Sequence, residues 1–349
     1  MAPDVAALTA DYEAWLGSKI QLVAGDLDRK HRELADNLMR FLRGTYYLWL
    51  VGLPSEAFDG PDVPCVGDLH VANFGTWVDA TGTGRWGVND LDELGGGCNQ
   101  LDLLRLATSA LITPGLTLAP DLVCSTLLEA WRSARPGRAV ELSATSARQL
   151  LGSLPPQRSD KQYCAELAAA PRGEPPPSIA ADVLRTVEPG WCLSWYQRTA
   201  GTGSLGHQRY VAVDGRTARE AKQLGPPTAS WAARQRRQRL PAQDQHLFGG
   251  LLAATHGPEP LRRVDGWQVR RLAPDVVRIE LAGLSAKGAR RLLRSMARAV
   301  IDVHGVAPAA LAASRAHEAR QRPDWLDHLV GEAATITHTQ FAAQQPGQP

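Results

Sequence analysis

The chain has 349 residues, of which 44% are hydrophobic and 21% are charged, and its net charge is +2. These values are ordinary for a globular protein, and the length allows one large domain or two smaller ones. No apolar run approaches the roughly 20 residues of a membrane-spanning helix, and the N-terminus has no signal-peptide pattern. The cysteines are too scattered for a disulfide framework or a zinc cluster: Cys65, Cys98, Cys124, Cys164 and Cys192. We therefore expect a cytoplasmic protein.

The first half of the chain predicts helices separated by short extended segments. Leu34, Leu38 and Phe41 recur at helical spacing, and FLRG at 41–44 ends that run. Helices are predicted at 5–50, 99–111 and 120–133, and extended segments at 62–78 and 84–92, around the turn DATGTG. The proline-rich stretch 152–190 is expected to be a linker or an irregular excursion.

In the second half, strands come first and helices last. Strands are predicted at 195–213, 267–272 and 276–281. Ser285 is a typical N-cap for a helix that ends at His304. The apolar stripe of this helix consists of Leu292, Met296, Ala299, Val300 and Val303. The tail, residues 341–349, is expected to be disordered.

Basic residues are concentrated in the second half of the chain. Residues 201–300 hold 18 Lys and Arg against 7 Asp and Glu. The plainer interpretation, favoured for RQRRQR at 234–239, is a set of solvated helix faces. The alternative is a surface that attracts phosphate or an acidic protein partner.

Two acidic motifs lie close together in the first half. PCVGDLHVANFGTW, residues 64–77, contains Asp68, His70 and Asn73, and WGVNDLDELGGG, residues 86–97, contains Asp90 and Asp92. Carboxylate and amide oxygens are the ligands that Mg²⁺ prefers, and a loop carboxylate can also accept a proton from an attacking hydroxyl. One base with an Asn and an Asp on the metal is the arrangement of kinase-type phosphoryl transfer. Clusters of Asp, Asn and Gly also build ordinary turns, which is the structural alternative.

A glycine motif follows much later in the chain. RTAGTGSLGHQRYVAV contains Gly201, Gly203 and Gly206, which fit G-x-G-x-x-G. HQRYVAV reads as a strand, so the loop joins two strands as in kinases, whereas a dinucleotide-binding loop leads into a helix. Lys222 follows, one of only five lysines, and is expected to pair with nucleotide phosphates. The alternative is a surface lysine on a hairpin.

The order of these motifs indicates a circular permutation. In an ordinary kinase the glycine loop precedes the catalytic loop, whereas here it comes after the acidic motifs. The helix ARRLLRSMARAVIDVH resembles the helix that leads into the catalytic loop of aminoglycoside-phosphotransferase-like kinases, which also ends in a histidine. If the two ends of the chain are joined, the motifs follow each other in the kinase order. The ends of this chain then correspond to a cut just before the catalytic loop. Permutation is tolerated where the termini lie close together at the surface.

The motifs as a set resemble an uncharacterised bacterial family, called domain of unknown function 2252. The matching pieces, from about residue 40 to 305, are FLRGT, GDLHVANFGTW, WGVNDLDE, LDLLRLATSA, AGTGSLGHQRYVAV, REAKQL and VRRLAPDVVRIEL. This family looks like a permuted relative of the protein-kinase-like superfamily, nearest to aminoglycoside and choline phosphotransferases. The resemblance implies an α+β, two-lobed, circularly permuted kinase-like fold. Its expected parts are an N-terminal helical segment (1–60), a piece of the helical lobe with the catalytic and metal loops (61–189), a strand-rich nucleotide-binding lobe (190–283), C-terminal helices (284–340) and the tail.

The resemblance also implies roles for individual residues. Asp68 matches the catalytic base, and His70 matches a histidine of the same loop whose alternative role is to hold the loop in place. Asn73 and Asp90 match the Mg²⁺ ligands, with Asp92 as a second candidate. The implied ATP-binding residues are Gly201, Gly203, Ser204, Gly206 and Lys222. Asp102 matches an acid that braces the catalytic loop from the following helix.

Two departures from the kinase pattern bear on activity. Val66 stands where a histidine or tyrosine usually precedes the base. A glutamate on a helix after the lysine strand is also missing, because Glu259 is the only one between Lys222 and Trp267 and does not read as mid-helix. Substitutes for this lysine-pairing residue are Gln243, Asp244 and Gln245. Without such a partner, a degenerate kinase is a further possibility.

Three functions are therefore considered. The first is an ATP- and Mg²⁺-dependent phosphotransferase that acts on a hydroxyl-bearing small molecule. The second is a non-catalytic, nucleotide-binding pseudokinase that regulates a protein partner through the basic region 201–300. The third is a metal-dependent phosphohydrolase that uses Asp68, His70, Asp90 and Asp92, which leaves Lys222 unexplained. Neither a membrane nor nucleic acid is an expected partner. Arg43 in FLRGT has two interpretations, a surface salt bridge or a phosphate contact.

Overall fold

Helices and small antiparallel sheets build the protein, which confirms the α+β class. The computed structural model describes residues 4–137, 140–142, 158–199, 201, 206–238, 247–255, 257 and 260–345. The helices in these ranges are α1 (Val5–Gly17), α2 (Ala24–Asp36), α3 (Leu38–Gly44), α4 (Tyr46–Gly52), α5 (Asn99–Leu111), α6 (Pro120–Ser133), α7 (Asp160–Leu167), α8 (Pro177–Leu184), α9 (Thr228–Gln235), α10 (Leu247–Thr255), α11 (Ala286–His304), α12 (Pro308–Glu318) and α13 (Trp325–Gln344). Within those residues, no helix has the length and apolarity that crossing a membrane requires.

The strands form three separate sheets. They are β1 (Asp62–Cys65), β2 (Phe74–Val78), β3 (Gly84–Val88), β4 (Gly95–Cys98), β5 (Val140–Glu141), β6 (Ser194–Gln197), β7 (Arg209–Val213), β8 (Ala218–Gln223), β9 (Leu261–Val264) and β10 (Trp267–Leu272). β1 pairs with β4, and β2, β3 and β5 form a second sheet. The third sheet has the order β6-β7-β8-β10-β9, and every neighbouring pair in it is antiparallel.

The main hydrophobic core is shared by helices from both ends of the chain. It includes Trp49 from α4, Leu104 from α5, Trp131 from α6, Met296 from α11 and Leu326 from α13. Each of these side chains is almost completely buried, so the core is dry. The N-terminal and C-terminal helices therefore pack into one helical unit.

The long helix α11 begins and packs as its sequence predicts. The hydroxyl of Ser285 accepts a hydrogen bond from the N–H of Gly288 at 3.2 Å, which satisfies one free donor of the first turn. All members of the predicted apolar stripe are buried. The helix ends at His304, whose ring is fully buried in the helical unit.

The five-stranded sheet has an apolar cluster on each face. Tyr210 and Ala212 of β7 pack on one face with Val183 of α8, whereas Val211 and Val213 pack on the other face. Alternate residues of a strand point to opposite faces, so this pattern covers the sheet on both sides. Across the strands, Lys222 of β8 lies opposite Arg209 of β7 and Gln268 of β10.

The predicted strand at 276–281 is wrong, because only one isolated bridge forms there, between Arg278 and Gly75. The backbone N–H of Val277 donates to the hydroxyl of Thr76 at 2.9 Å, and the N–H of Thr76 donates to the carbonyl of Val277 at 2.8 Å. A side chain thus replaces a backbone acceptor, and a regular ladder does not continue beyond it.

Two predictions of irregular structure are also wrong in part. The stretch 152–190 contains α7 and α8, each with a clear start signal: Ser159 and Gln162 form a capping box, and Pro177 is the first residue of its helix. At the C-terminus, α13 continues to Gln344, and the ring of Phe341 contacts that of Phe41 edge-on at 5.5 Å. Residues 152–157 and 346–349 lie outside the described ranges.

Candidate functional site

A cleft of about 280 Å³ lies between the five-stranded sheet and the loops of the two smaller sheets. The predicted site residues that line it are Asp68, His70, Asn73, Asp90, Asp92, Gly201 and Lys222. Gly206 is not part of the lining, and its carbonyl accepts a hydrogen bond from the N–H of Val23 at 2.9 Å. Gly203 and Ser204 lie outside the described residues.

The loop that carries Asp68 begins at a glycine with a positive φ. Gly67 has a φ of 90°, and a Cβ atom there would lie 2.7 Å from the carbonyl oxygen of Glu93. Both the dihedral angle and the close approach exclude a side chain at this position. The tight turn brings the loop after β1 against the loop after β3, so the two acidic motifs meet.

Asp102 of α5 supports this loop through hydrogen bonds. Its carboxylate accepts hydrogen bonds from the N–H groups of Val66 at 2.8 Å and Gly67 at 3.0 Å. His304 is 3.1 Å from the same carboxylate through Nε2, and its Nδ1 accepts a hydrogen bond from the indole of Trp131 at 3.2 Å. Because Nδ1 is an acceptor, the ring proton lies on Nε2 and is donated to Asp102. The C-terminal end of α11 thus supports a loop from the first half of the chain.

Asp68 is held by Arg105, which the sequence analysis missed. Arg105 contacts one carboxylate oxygen, Oδ1, from Nε at 3.0 Å and from Nη2 at 2.6 Å. The guanidinium group is fully buried and lies over the rings of Tyr46 and Trp49, with centroid distances of 5.1 and 4.9 Å. Burial raises the pKa of Asp68, although Arg105 opposes the shift. The other oxygen, Oδ2, is 3.9 Å from Nε2 of His70.

His70 and Asn73 stabilise the conformation of the same loop. Nδ1 of His70 accepts a hydrogen bond from the N–H of Ala72 at 3.2 Å, and Oδ1 of Asn73 accepts one from the N–H of His70 at 3.2 Å. Burial, with the charges of Arg43 and Arg105, lowers the pKa of His70 well below its ordinary value. The lowered pKa favours the neutral form of His70, and its two hydrogen bonds shape the loop.

The two carboxylates of the second motif, Asp90 and Asp92, have different contacts. Asp92 forms an ion pair with Lys222 and is also 3.4 Å from the side-chain nitrogen of Gln268. Asp90, in contrast, makes no hydrogen bond or ion pair with any described residue. Burial acts to raise the pKa of Asp90, but the charges of Lys222 and Arg270 outweigh it and the pKa is lowered. Asp90 is thus an ionised carboxylate with free oxygens.

The donor set beside Asp90 fits a hard divalent cation. The oxygens of Asp90 accept no hydrogen bond from any residue that the structure describes, and Oδ1 of Asn73 has a second lone pair beyond the one that His70 uses. Asp68 and Asp90 are also close enough for the charge of Asp90 to raise the pKa of Asp68. Asp90 therefore offers carboxylate oxygens and Asn73 an amide oxygen, and such hard oxygen ligands suit Mg²⁺.

The opposite wall of the cleft is basic. Glu220, two residues before Lys222 on β8, accepts hydrogen bonds from three arginines that line the cleft: Arg198 at 2.7 Å, Arg209 at 2.9 Å and Arg270 at 2.6 Å. These charges outweigh burial and lower the pKa of Glu220. One carboxylate for three guanidinium groups leaves a positive surface beside Lys222. Strand alternation, which puts Glu220 and Lys222 on one face, was the sequence signal for this cluster.

The acid expected on the helix after the lysine strand is absent from α9, whose sequence is TASWAARQ. Lys222 pairs instead with Asp92, which lies in the loop after β3. The substitutes Gln243, Asp244 and Gln245, with Glu259, fall outside the described part of the chain.

Glu93 connects the acidic loop to the start of α9. It accepts hydrogen bonds from the N–H of Thr228 at 2.6 Å and from its hydroxyl at 2.8 Å. The same hydroxyl is 3.0 Å from that of Tyr12 in α1. Burial raises the pKa of Glu93 to about 7. This residue, also missed from sequence, therefore links three elements at the rim of the cleft.

The basic segment 234–239 is not simply a solvated helix face. Nη1 of Arg236 donates to the carbonyls of Leu53 at 2.7 Å and Val51 at 3.1 Å, at the end of α4. Its guanidinium group lies 4.2 Å from the ring centroid of Phe58. At least this arginine satisfies free carbonyls at a helix end.

One part of the chain matches the model of a known family. No curated protein and no solved structure matches the chain. The matching family model spans both acidic motifs, Asp102 and Arg105, and ends before Lys222. Residues 23–128 match the family described as "Uncharacterized protein conserved in bacteria (DUF2252)", which confirms over that range the resemblance inferred from the motifs.

Proposed function

We propose that the protein is an ATP- and Mg²⁺-dependent phosphotransferase whose acceptor is a hydroxyl group of a small molecule. The observation that carries the proposal is that one cleft has an acidic wall facing a basic wall. Asp68 and Asp90 lie on the loop wall, and Lys222 with its neighbouring arginines lies on the sheet wall. A phosphoryl-transfer site needs both: cationic groups for the phosphates, and carboxylates for the metal and the acceptor.

The topology of the sheet supports this interpretation. The segment with the glycine motif joins β6 to β7, and Lys222 lies on β8, the third strand of the sheet in chain order. Protein kinases likewise have a glycine-rich loop over the phosphates and a lysine on the third strand. The acidic loops precede this sheet in the chain and face it in space, which is the arrangement expected of a circularly permuted kinase-like fold.

The sheet wall would bind the nucleotide phosphates. Lys222 is buried, it forms an ion pair with Asp92, and the charge of Asp90 also acts on it. Arg198, Arg209 and Arg270 add a surplus of positive charge around Glu220. Charge-assisted hydrogen bonds from such groups are the main source of affinity for a polyphosphate.

The loop wall would bind the metal and the acceptor. Asp90 and Asn73 would hold Mg²⁺, which when bound neutralises charge on the phosphates. Oδ2 of Asp68, the oxygen that Arg105 leaves free, would orient the acceptor hydroxyl and take its proton. The hydroxyl oxygen forms the new bond to the γ-phosphorus, the bond from that phosphorus to the bridging oxygen breaks, and ADP leaves.

Calorimetric titration of ATP, with and without Mg²⁺, tests the proposal. Binding to the wild-type protein should require Mg²⁺ and should be lost or weakened at least tenfold in Lys222→Ala and Asp90→Ala. Lys287→Ala, at an exposed position at the start of α11, is the control and should bind like the wild type. Absence of ATP binding to the wild-type protein would overturn the proposal.

One observation favours the pseudokinase as a second candidate. Arg105 makes two hydrogen bonds to Asp68, and a permanent cation on the carboxylate weakens it as a base. A pseudokinase should bind ATP but show the same background ATP consumption in wild type and in Asp68→Asn. In a phosphotransferase, Asp68→Asn should keep ATP affinity and lower transfer to an acceptor by about 10²-fold or more.

A further inference from the structure

Two arginines of the cleft are not used by the proposed reaction. Arg43, from α3, and Arg278, from the segment after β10, both line the cleft. Neither side chain makes a hydrogen bond or an ion pair with any residue that the structure describes, although Arg278 is exposed whereas Arg43 is half-buried. Nε of Arg43 is completely buried and has no acceptor. A buried donor without a partner is costly, so its persistence indicates a ligand.

The charges around Arg43 point to an anion. Burial lowers the pKa of Arg43, and the like charge of Arg278 lowers it further. Asp68, Asp90 and Glu280 act in the opposite direction, but none of them reaches ion-pair distance from either arginine. Two guanidinium groups therefore repel each other across the cleft, and a shared anion between them would remove that repulsion.

The position of this pair distinguishes it from the arginines of the sheet. Arg198, Arg209 and Arg270 already converge on Glu220 beside Lys222, on the side proposed for the nucleotide. Arg43 belongs to α3, which precedes the catalytic loop, and its charge acts on Asp68 and His70. Arg43 and Arg278 also interact with the charge of Asp90, so the pair lies beside the loops of Asp68 and Asp90, the wall where an acceptor would bind.

We infer that Arg43 and Arg278 bind an anionic group of the acceptor, so that the substrate is a hydroxyl compound carrying a phosphate or a carboxylate. The assignment of this anion to an acceptor rests on the proposed phosphotransferase function. The anion site itself does not, because it follows from the two unpartnered guanidinium groups. Arginine suits either group, since its planar fork donates two parallel hydrogen bonds to both.

The test uses the full chain saturated with Mg²⁺ and a non-hydrolysable ATP analogue, titrated with inorganic phosphate and, separately, with acetate. Arg43→Gln and Arg278→Gln should each weaken binding of the preferred anion about tenfold and leave the affinity for the analogue unchanged. Arg40→Gln is the matched control, because Arg40 lies on the same helix but is exposed and pairs with Asp36. The preferred anion distinguishes a phosphate-bearing acceptor from a carboxylate-bearing one.

Other results would overturn the inference or separate it from the proposed function. If neither anion binds, or if neither Arg43→Gln nor Arg278→Gln weakens anion binding, the anion site does not exist. If both variants weaken the analogue as much as Lys222→Ala does, the arginines contact the nucleotide and the inference is wrong. If the wild type fails to bind the analogue but binds an anion through Arg43 and Arg278, the phosphotransferase proposal fails and the anion site stands. Thermal unfolding of each variant shows whether it has a folding defect. If one variant does, the variant of the other arginine supplies the test.

Discussion

Lys222 and Asp92 form an ion pair that joins strand β8 of the five-stranded sheet to the loop after β3. The pair connects the basic wall of the cleft to the acidic wall. It also distinguishes two carboxylates that the sequence alone leaves equivalent, because Asp92 pairs with the lysine whereas Asp90 has no ion pair within the described part of the chain. Such a contact holds the lysine in place without a carboxylate on α9.

This division predicts different results for the two acids. Asp90→Asn should abolish the Mg²⁺ dependence of ATP binding, because a neutral amide is a weaker ligand for a hard dication. Asp92→Asn should keep that dependence but weaken ATP binding, since Lys222 loses its ion pair with Asp92. Calorimetry at several Mg²⁺ concentrations distinguishes the two variants. Loss of the Mg²⁺ dependence in Asp92→Asn alone would reverse the assignment.

The pKa of Lys222 predicts how ATP affinity depends on pH. Burial lowers this pKa to about 8, although the charge of Asp90 acts to raise it. Below pH 8 the amine is protonated and attracts phosphate, and above pH 8 it becomes neutral. ATP affinity should therefore fall as the pH rises from 7 to 9, by about tenfold, the effect of one charge-assisted hydrogen bond.

Lys222→Arg is the control for this titration. A guanidinium group keeps its charge throughout the range, so any affinity that the variant retains should not change between pH 7 and 9. Titrations at matched ionic strength keep screening constant. An equal decline in the wild type and in Lys222→Arg would show that another group titrates.

The support of the loop by Asp102 predicts a loss of stability. Asp102→Ala leaves the N–H groups of Val66 and Gly67 and the ring of His304 without their buried acceptor. Removing one partner from such a buried network should lower the free energy of unfolding by about 2–4 kcal/mol. Urea denaturation measures the change. Asp324→Ala, which removes an exposed partner of Arg322, should have no measurable effect.

Sequence motifs identified those residues of the cleft whose positions follow from local spacing along the chain. Asp68 and Asn73 belong to one loop, and Lys222 follows the glycine motif at a distance that two strands dictate. The residues that hold them could not be found in this way. Arg105, His304 and Glu220 act through contacts across the fold, and a single sequence gives no direct signal for such pairs.

The same distinction explains the errors in secondary structure. Residues 276–281 alternate as a strand should, but a strand needs a partner over its whole length, and Thr76 ends the pairing. The helix α13 extends into a tail of low sequence complexity because Phe341 and Gln340 find contacts on α3 and α4. In both places tertiary contacts decide the outcome, and local propensity alone does not.

Gly67 offers a test of whether the shape of the loop that carries Asp68 is as strict as its backbone indicates. Gly67→Ala introduces a Cβ atom at a φ of 90° and only 2.7 Å from the carbonyl oxygen of Glu93. Both the strain and the clash should destabilise the protein, by about 2–3 kcal/mol together, and displace Asp68. Gly82→Ala is the matched control, because Gly82 has a φ of 80° but open space around its Cβ position. Gly82→Ala should lower the free energy of unfolding only by the strain contribution, about 1 kcal/mol. Urea denaturation of both variants gives the difference, and equal losses would mean that the loops around Asp68 and Glu93 can move apart.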